Sequence, residues 1–374
     1  MDRWHLIMKK SKFQSVTLLV LSFLGLNSAV FSIQDGSTLS VYFENDLFAN
    51  TDREYTNGTK FSLVSPDIDW NREILSGEGT ELSLISRTFV QHLAPISRAK
   101  DRLLQNFGIG WDENVSGVSY NVEFVIGQQM YTPENIESPS FLPQQRPYAG
   151  WLYGGIGLHR KTNRGLNLIE LNFGFVGPAS FARQTQNFIH GMRKIEKAQG
   201  WDYQLKNELG IGIVMENKDR LLSLNQDSSK LGLDLITHYG FSLGNILTQI
   251  NLGMEFRFGW NIPKDFGESL LGRSGNTSAP NSEGELRWDQ GFSWYLFTGV
   301  DGRFVARNIF LDGNTFVDSP KVDKEPLVGD LVAGTSARIG KRLKLTYSQA
   351  VRTREYKKQN DGQMFGAAYI SWIF

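Results

Sequence analysis

Along most of the chain, large apolar and polar residues alternate one by one, the period of β-strands rather than of helices. The split is complete from Ile250 to Trp260. Ile250, Leu252, Met254, Phe256, Phe258 and Trp260 fall on one face, and Asn251, Gly253, Glu255, Arg257 and Gly259 on the other. Between Leu166 and Val176, Ile169, Leu171, Phe173 and Phe175 oppose Glu170, Asn172 and Gly174. Earlier, Leu39, Val41 and Phe43 oppose Ser40, Tyr42, Glu44 and Asp46. Twelve such segments lie near 38–48, 55–65, 117–130, 148–161, 164–176, 204–217, 231–243, 246–260, 290–305, 326–339, 342–354 and 363–374. Several connections are tight enough for hairpins, including Lys161-Thr162-Asn163-Arg164-Gly165, Leu243-Gly244-Asn245 and Gly340-Lys341-Arg342. A soluble sandwich alternates too. Long strands with aromatic ends, and with Gly and charge on the polar side, suit a transmembrane antiparallel β-barrel with a wet, polar interior.

The expected fold is therefore all-β, a twelve-stranded barrel whose even strand count puts both chain ends in the periplasm. In the final segment Ile370, Trp372 and Phe374 share one face, as fits a closing strand. This arrangement leaves the long connections 66–116 and 261–289 on the periplasmic side, where turns are usually short. A further short strand near Leu221–Leu224, with another pair merged, would change that accounting. Three segments do not read as strands. Residues 71–115 form an insertion, and its "ISRTFVQHLAPISRAKDRLLQ" predicts a helix around Pro95. Thr132 to Pro147 is a Pro-rich loop running into "RPYAG". Ser180 to Gln199 predicts a short helix in an extracellular loop, with Ser180 as its N-cap.

Composition narrows the class. Lys plus Arg and Asp plus Glu are both 39 in 374 residues, which argues against nucleic-acid binding by a basic face. A mean hydropathy of −0.29, with no apolar run of membrane length beyond residue 30, excludes membrane-spanning helices but not a barrel. The absence of Cys removes disulfides, thiolate metal sites and a Cys nucleophile. Lys9, Lys10 and Lys12 precede the apolar run Val16 to Leu26, and Ser28, Ala29 and Ser32 follow. That pattern predicts a secretory signal peptide over 1–32, with the barrel occupying 33–374. The expected location is the bacterial outer membrane, and the expected state a membrane-embedded monomer.

Of five histidines, His190 alone falls in a polar helical segment beyond a strand. Gln186 lies four residues before it, on the same helix face. Such a pair can orient a general base, or it can be solvated loop polarity. The first hairpin, "YFENDLFANTDREYTNG", poses a similar choice. Alternation sends Asn45 outwards and Asp46 inwards at the strand's outer end, and Thr56 and Asn57 return to the same rim. Asn and Asp oxygens suit a hard cation such as calcium. They also turn chains, which accounts for Asn57-Gly58 but less well for Asn45-Asp46, several residues before the turn.

Together "ENDLF", "TDREYTNG", "RPYAGWLYGGIGL", "GFVGPASFARQTQNFIH", "GWDYQL", "HYGFSLGN" and "NIFLDGNTFVDS" resemble the LpxR-type lipid A 3′-O-deacylases. The resemblance runs from about residue 38 to 374 and leaves the 71–115 insertion outside it. It implies a twelve-stranded outer-membrane barrel with a calcium-dependent esterase site at its outer rim, acting on lipid A of lipopolysaccharide. Asn45 and Asp46 would lie on the calcium side, Thr56 would help hold the oxyanion, and His190 would be the general base supported by Gln186. Glu196 is the acidic candidate for a further calcium ligand. Ala198 stands where the family's aromatic residue is expected, and the second ligand stays open. With no Cys and no Ser in a nucleophile elbow, water activated by His190 is the economical nucleophile. Two other classes stay open from the residues: an outer-membrane phospholipase using a serine such as Ser180, and a non-catalytic channel or structural barrel.

Overall fold

In the computed structural model the described residues are 36–46, 54–69, 74, 84–105, 118–194, 196–225, 230–268, 291–340 and 342–374. The proposed signal peptide lies outside them. Twelve long strands follow the alternating segments: β1 (Thr38–Asn45), β2 (Glu54–Val64), β4 (Ser119–Thr132), β5 (Ala149–Lys161), β6 (Gly165–Val176), β7 (Glu208–Asn225), β8 (Leu231–Gly244), β9 (Leu247–Trp260), β10 (Phe292–Asn308), β11 (Leu327–Ile339), β12 (Leu343–Arg352) and β13 (Gln363–Ile373). A two-residue β3 (Ile68–Asp69) continues the line of β2 along β4. All neighbours are antiparallel, β1 pairs with β13, and the β2–β4 pairing closes the sheet into a barrel. Leu221 and Leu224 make no extra strand, because β7 runs on past a bulge at Arg220/Leu222 and stays paired with β8.

Period two decides the faces. On β9 every even residue from Ile250 to Trp260 is exposed, and the odd residues between them are buried. The exposed belt continues through Phe173 and Phe175, Leu209 and Ile211, Trp294 and Leu296, and Leu331. An apolar outer belt of this kind is what lipid requires of a barrel wall.

The interior is packed as well as polar. Tyr42, Val125, Tyr131, Trp151, Tyr153, Tyr295, Phe297, Phe365 and Tyr369 belong to one inner core. Charges share the lumen in pairs. His159 Nε2 meets Glu123 Oε2 at 2.7 Å, His238 Nε2 meets Asp301 Oδ2 at 2.9 Å, and Arg303 and Arg352 both bind Asp330. Buried charge is tolerated because it is paired.

The long connections at the end where β1 begins and β13 finishes have uses that the alternation did not reveal. Residues 261–268 fold into the lumen. Asp265 accepts from Arg257 of β9 and Lys344 of β12, Glu268 accepts from Lys344 and Tyr295, and the Asp265 carbonyl takes Arg220 of β7 at 2.5 Å. Strands on opposite sides of the barrel are thereby joined across its interior. Burial opposes ionisation of Asp265, but the Lys344 and Arg257 cations outweigh it and lower its carboxyl below the usual range. The helix α1 (Leu84–Gln105) lies instead on the outer wall. Its Val90 and Ala94 pack with Tyr120, Val122 and Leu158, which alternate out of register with the lumen residues Glu123 and His159. Lys100 Nζ donates to Asn167 and Asn217 on the same wall. The helix predicted around Pro95 therefore exists and covers outward-facing polar groups.

Candidate functional site

At the rim where β1 ends and β13 begins, one outward-facing row crosses four strands: Asn45, Asn57, Met130 and Gly150 are successive cross-strand partners. On β9 this face is exposed; here Asn45 and Asn57 are each 3 % exposed and Met130 is fully buried. A bulge in β2 between Tyr55 and Asn57 leaves Thr56 as the extra residue, and bulges re-aim side chains at barrel rims. The side chain of Thr56 lies outside the described part of the structure. Asp46 follows Asn45 and is fully buried.

The connection between β6 and β7 covers the Met130–Gly150 end of this row. Gly177, at φ 88°, turns the chain, and Pro178–Ser180 forms one 3-10 turn leading into the helix α2 (Ala182–Arg193). The N-cap is Phe181 in the left-handed region, not Ser180 as the sequence suggested. The Ser180 hydroxyl is turned back to donate to the Gly177 carbonyl at 2.6 Å, and Gln128 Nε2 donates to the Ser180 carbonyl. A Cβ on Gly150 would stand 2.0 Å from Ser180 Oγ and 2.3 Å from Ala182 Cβ. Glycine in "RPYAG" thus lets the helix start rest directly on the wall.

On α2 the four-residue spacing places Ala182, Gln186 and His190 on one buried face. His190 Nδ1 lies 2.6 Å from the carbonyl oxygen of Glu196. A carbonyl can only accept, so Nδ1 carries the proton and Nε2 is the basic nitrogen. Trp201, fully buried, donates its Nε1–H to Gln186 Oε1 at 2.6 Å. Indole N–H is only a donor, so it fixes the amide's orientation. The Gln186 Nε2 donor is buried and has no hydrogen-bond partner among the described residues, an expensive arrangement in a protein interior and one that favours an incoming acceptor. Tyr148 packs on Trp201 with ring centroids 4.9 Å apart, and a Cβ on Gly200 would meet the Tyr148 ring at 2.5 Å. Met130, Tyr148, Ala182, Ala198 and Trp201 form a single buried cluster beneath the helix.

Two further loops brace this rim. Asn314 Oδ1 accepts from the Lys206 amide at 2.8 Å and its Nδ2 donates to the Lys206 carbonyl at 2.9 Å, while Thr315 N donates to Glu208 Oε2. Arg146 of "RPYAG" donates to Glu355 Oε2 at 2.6 Å, tying that loop to the connection between β12 and β13. Burial alone would raise the Glu355 carboxyl, but the Arg146 and Arg352 cations outweigh it and hold it at about 2.

The structure therefore links the two rim elements singled out in the sequence. Asn45 joins Asn57 and Met130 in one row, Met130 packs on Ala182 and Trp201, and Trp201 holds Gln186 one turn from His190. Glu196 contributes its carbonyl to His190, while its side chain is exposed. Trp201, Tyr148 and Gly150 were not assigned roles from the sequence, although their motifs stood out. Only contacts between distant segments reveal them. As for calcium, Asp46 follows Asn45 in the chain and Asn57 pairs with Asn45 across β1 and β2; all three are buried and carry the hard oxygen donors such an ion takes, which fits. No group of three or more His, Asp or Glu is placed to hold a metal among the described residues, so amide or carbonyl oxygens would have to complete such a site.

A family model described as "Outer membrane protein LpxR" matches residues 16–374. No curated protein sequence matches the chain. Among solved structures, LpxR from Salmonella typhimurium is similar over 90 % of this chain and 100 % of that one, at 17 % identity and a TM-score of 0.63. The beta domain of the Bordetella autotransporter BrkA covers 91 % of this chain and 99 % of its own, at 10 % identity and a TM-score of 0.40. The NalP translocator domain from Neisseria meningitidis covers 99 % and 98 %, at 8 % identity and a TM-score of 0.36.

Proposed function

The chain belongs to the LpxR family of outer membrane proteins, and from that membership and the covered rim site we propose that it is a lipid A deacylase. The bond cleaved is the 3′-linked acyloxyacyl ester, and water is the nucleophile. The observation that carries this reading is the 2.6 Å contact of His190 Nδ1 with the Glu196 carbonyl: a carbonyl there calls for Nδ1–H and leaves Nε2 as the nitrogen to accept a proton from water. As water adds to the ester carbonyl, negative charge gathers on its oxygen. Thr56 at the bulge and the Gln186 Nε2 donor stabilise that charge. The imidazolium then returns its proton to the leaving alkoxide, so a free acid and a lipid hydroxyl result. Asp46 and Asn45 would hold calcium, with Glu196 the further candidate donor; bound calcium supplies Lewis-acid polarisation of the ester.

The site is on the outer wall, so an ester in the outer leaflet reaches it sideways without entering the lumen. Two observations weigh against the alternatives. The Ser180 hydroxyl is buried and committed to the Gly177 carbonyl, a poor position for a phospholipase nucleophile. The crossing of the lumen by 261–268 opposes a channel.

Mass spectrometry of lipid A from cells expressing the chain is the test. Loss of one acyloxyacyl group is expected. His190→Ala or calcium chelation should abolish it while the barrel still migrates as a folded, heat-modifiable band. A folded His190→Ala variant with full activity refutes the base assignment. Fatty acid release from phosphatidylethanolamine, or conductance with unchanged lipid A, refutes the deacylase reading.

A further inference from the structure

The face of α2 opposite His190 carries an apolar stripe. Phe181, Phe188 and Met192 recur at spacings of seven and four residues, and they are 56, 66 and 63 % exposed. Nearby, the Phe141 and Tyr203 rings meet at a tilt of 39° with centroids 5.9 Å apart, and both are exposed. Single exposed apolar residues are ordinary, but a contiguous patch of aromatic groups marks a contact surface. What it contacts follows from continuity. Phe173 and Phe175 of β6 and Leu209 and Ile211 of β7 are the exposed lipid belt immediately below, Phe175 pairs with Leu209, and the chain reaches Phe181 within six residues of Phe175. The helix has no acidic residue, and Arg193, Lys194 and Lys197 stand exposed at its end.

We propose that α2 is an interfacial helix. Its Phe181–Phe188–Met192 stripe is sunk among the acyl chains of the outer leaflet, and its basic end meets anionic headgroups. The surface rests on the reading of the chain as an outer-membrane lipid hydrolase, and it extends that reading. The same short helix holds the base on its wall side and lipid on its outer side, so a lipid in the adjoining leaflet needs only lateral movement to reach Nε2.

The chain has no Cys, so single-cysteine labelling needs no background removal. Phe188→Cys, Phe173→Cys and Asp318→Cys variants, each carrying a polarity-sensitive fluorophore, would be reconstituted in phosphatidylcholine–phosphatidylglycerol vesicles with brominated acyl chains. Phe173 is the belt reference, and Asp318, in the β10–β11 connection with a side chain 97 % exposed, is the aqueous reference. Quenching at 188 that is several-fold above 318 and nearer to 173 is expected. Quenching at 188 no greater than at 318 overturns the proposal. Heat-modifiable migration establishes that each variant is folded. The readout needs no hydrolysis, so an inactive but quenched protein defeats only the enzymatic reading. An active but unquenched one defeats only this inference.

Discussion

Trp201→Phe is the sharpest perturbation of the site, because it removes one N–H and leaves most of the ring. The native indole donates to Gln186 Oε1 at 2.6 Å in a fully buried setting. Its loss leaves a buried acceptor unsatisfied, which costs about 1–3 kcal/mol. The amide is then no longer held with Nε2 as the available donor. One preorganised oxyanion donor is worth roughly 2.7–4 kcal/mol, or 10²–10³ in rate. Partial loss of its orientation should therefore lower kcat about 10- to 100-fold, with KM little changed. The assay is the initial rate of 3′-acyl loss from purified lipid A, followed by mass spectrometry, for wild type, Trp201→Phe, Gln186→Leu and the double variant. If Trp201 acts through Gln186, the double variant is no slower than Gln186→Leu alone. Two results refute the reasoning: a folded Trp201→Phe at the wild-type rate, or a double variant whose loss is the product of the single losses. The second would give Trp201 a packing role independent of the amide.

Gly150→Ala places a methyl where Ser180 Oγ and Ala182 Cβ already stand, so α2 must lift from the wall; a loss of about 1–3 kcal/mol in thermal unfolding and a fall in deacylation are expected. The paired Glu355 has its carboxyl lowered from 4.5 to about 2, so its contribution is fully present above pH 4.5 and is lost as pH falls towards 2. That contribution is about 3 kcal/mol. Glu355→Gln should remove it near neutral pH and flatten the acid limb of a stability-versus-pH curve measured by unfolding; an unchanged acid limb refutes the assignment.

The faces of β1, β6 and β9 were legible in the sequence, because within an unbulged strand a side chain's side of the wall follows from its parity. So were the outward setting of Asn45 and the shared face of Gln186 and His190, which are local periodicities. Three things were decided only by contacts between distant segments. Residues 261–268 cross the lumen because Asp265 meets Arg257 and Lys344 there, and α1 lies outside because outward-facing Tyr120 and Val122 receive it. The orientation of the site itself comes from Trp201 and the Glu196 carbonyl, one of them fifteen residues from its partner and the other a backbone atom invisible to any motif. Strand pleats repeat every two residues and so announce themselves in one dimension. Where a loop comes to rest depends on which cavity its small residues leave open, as Gly150 does for α2, and that is a property of three.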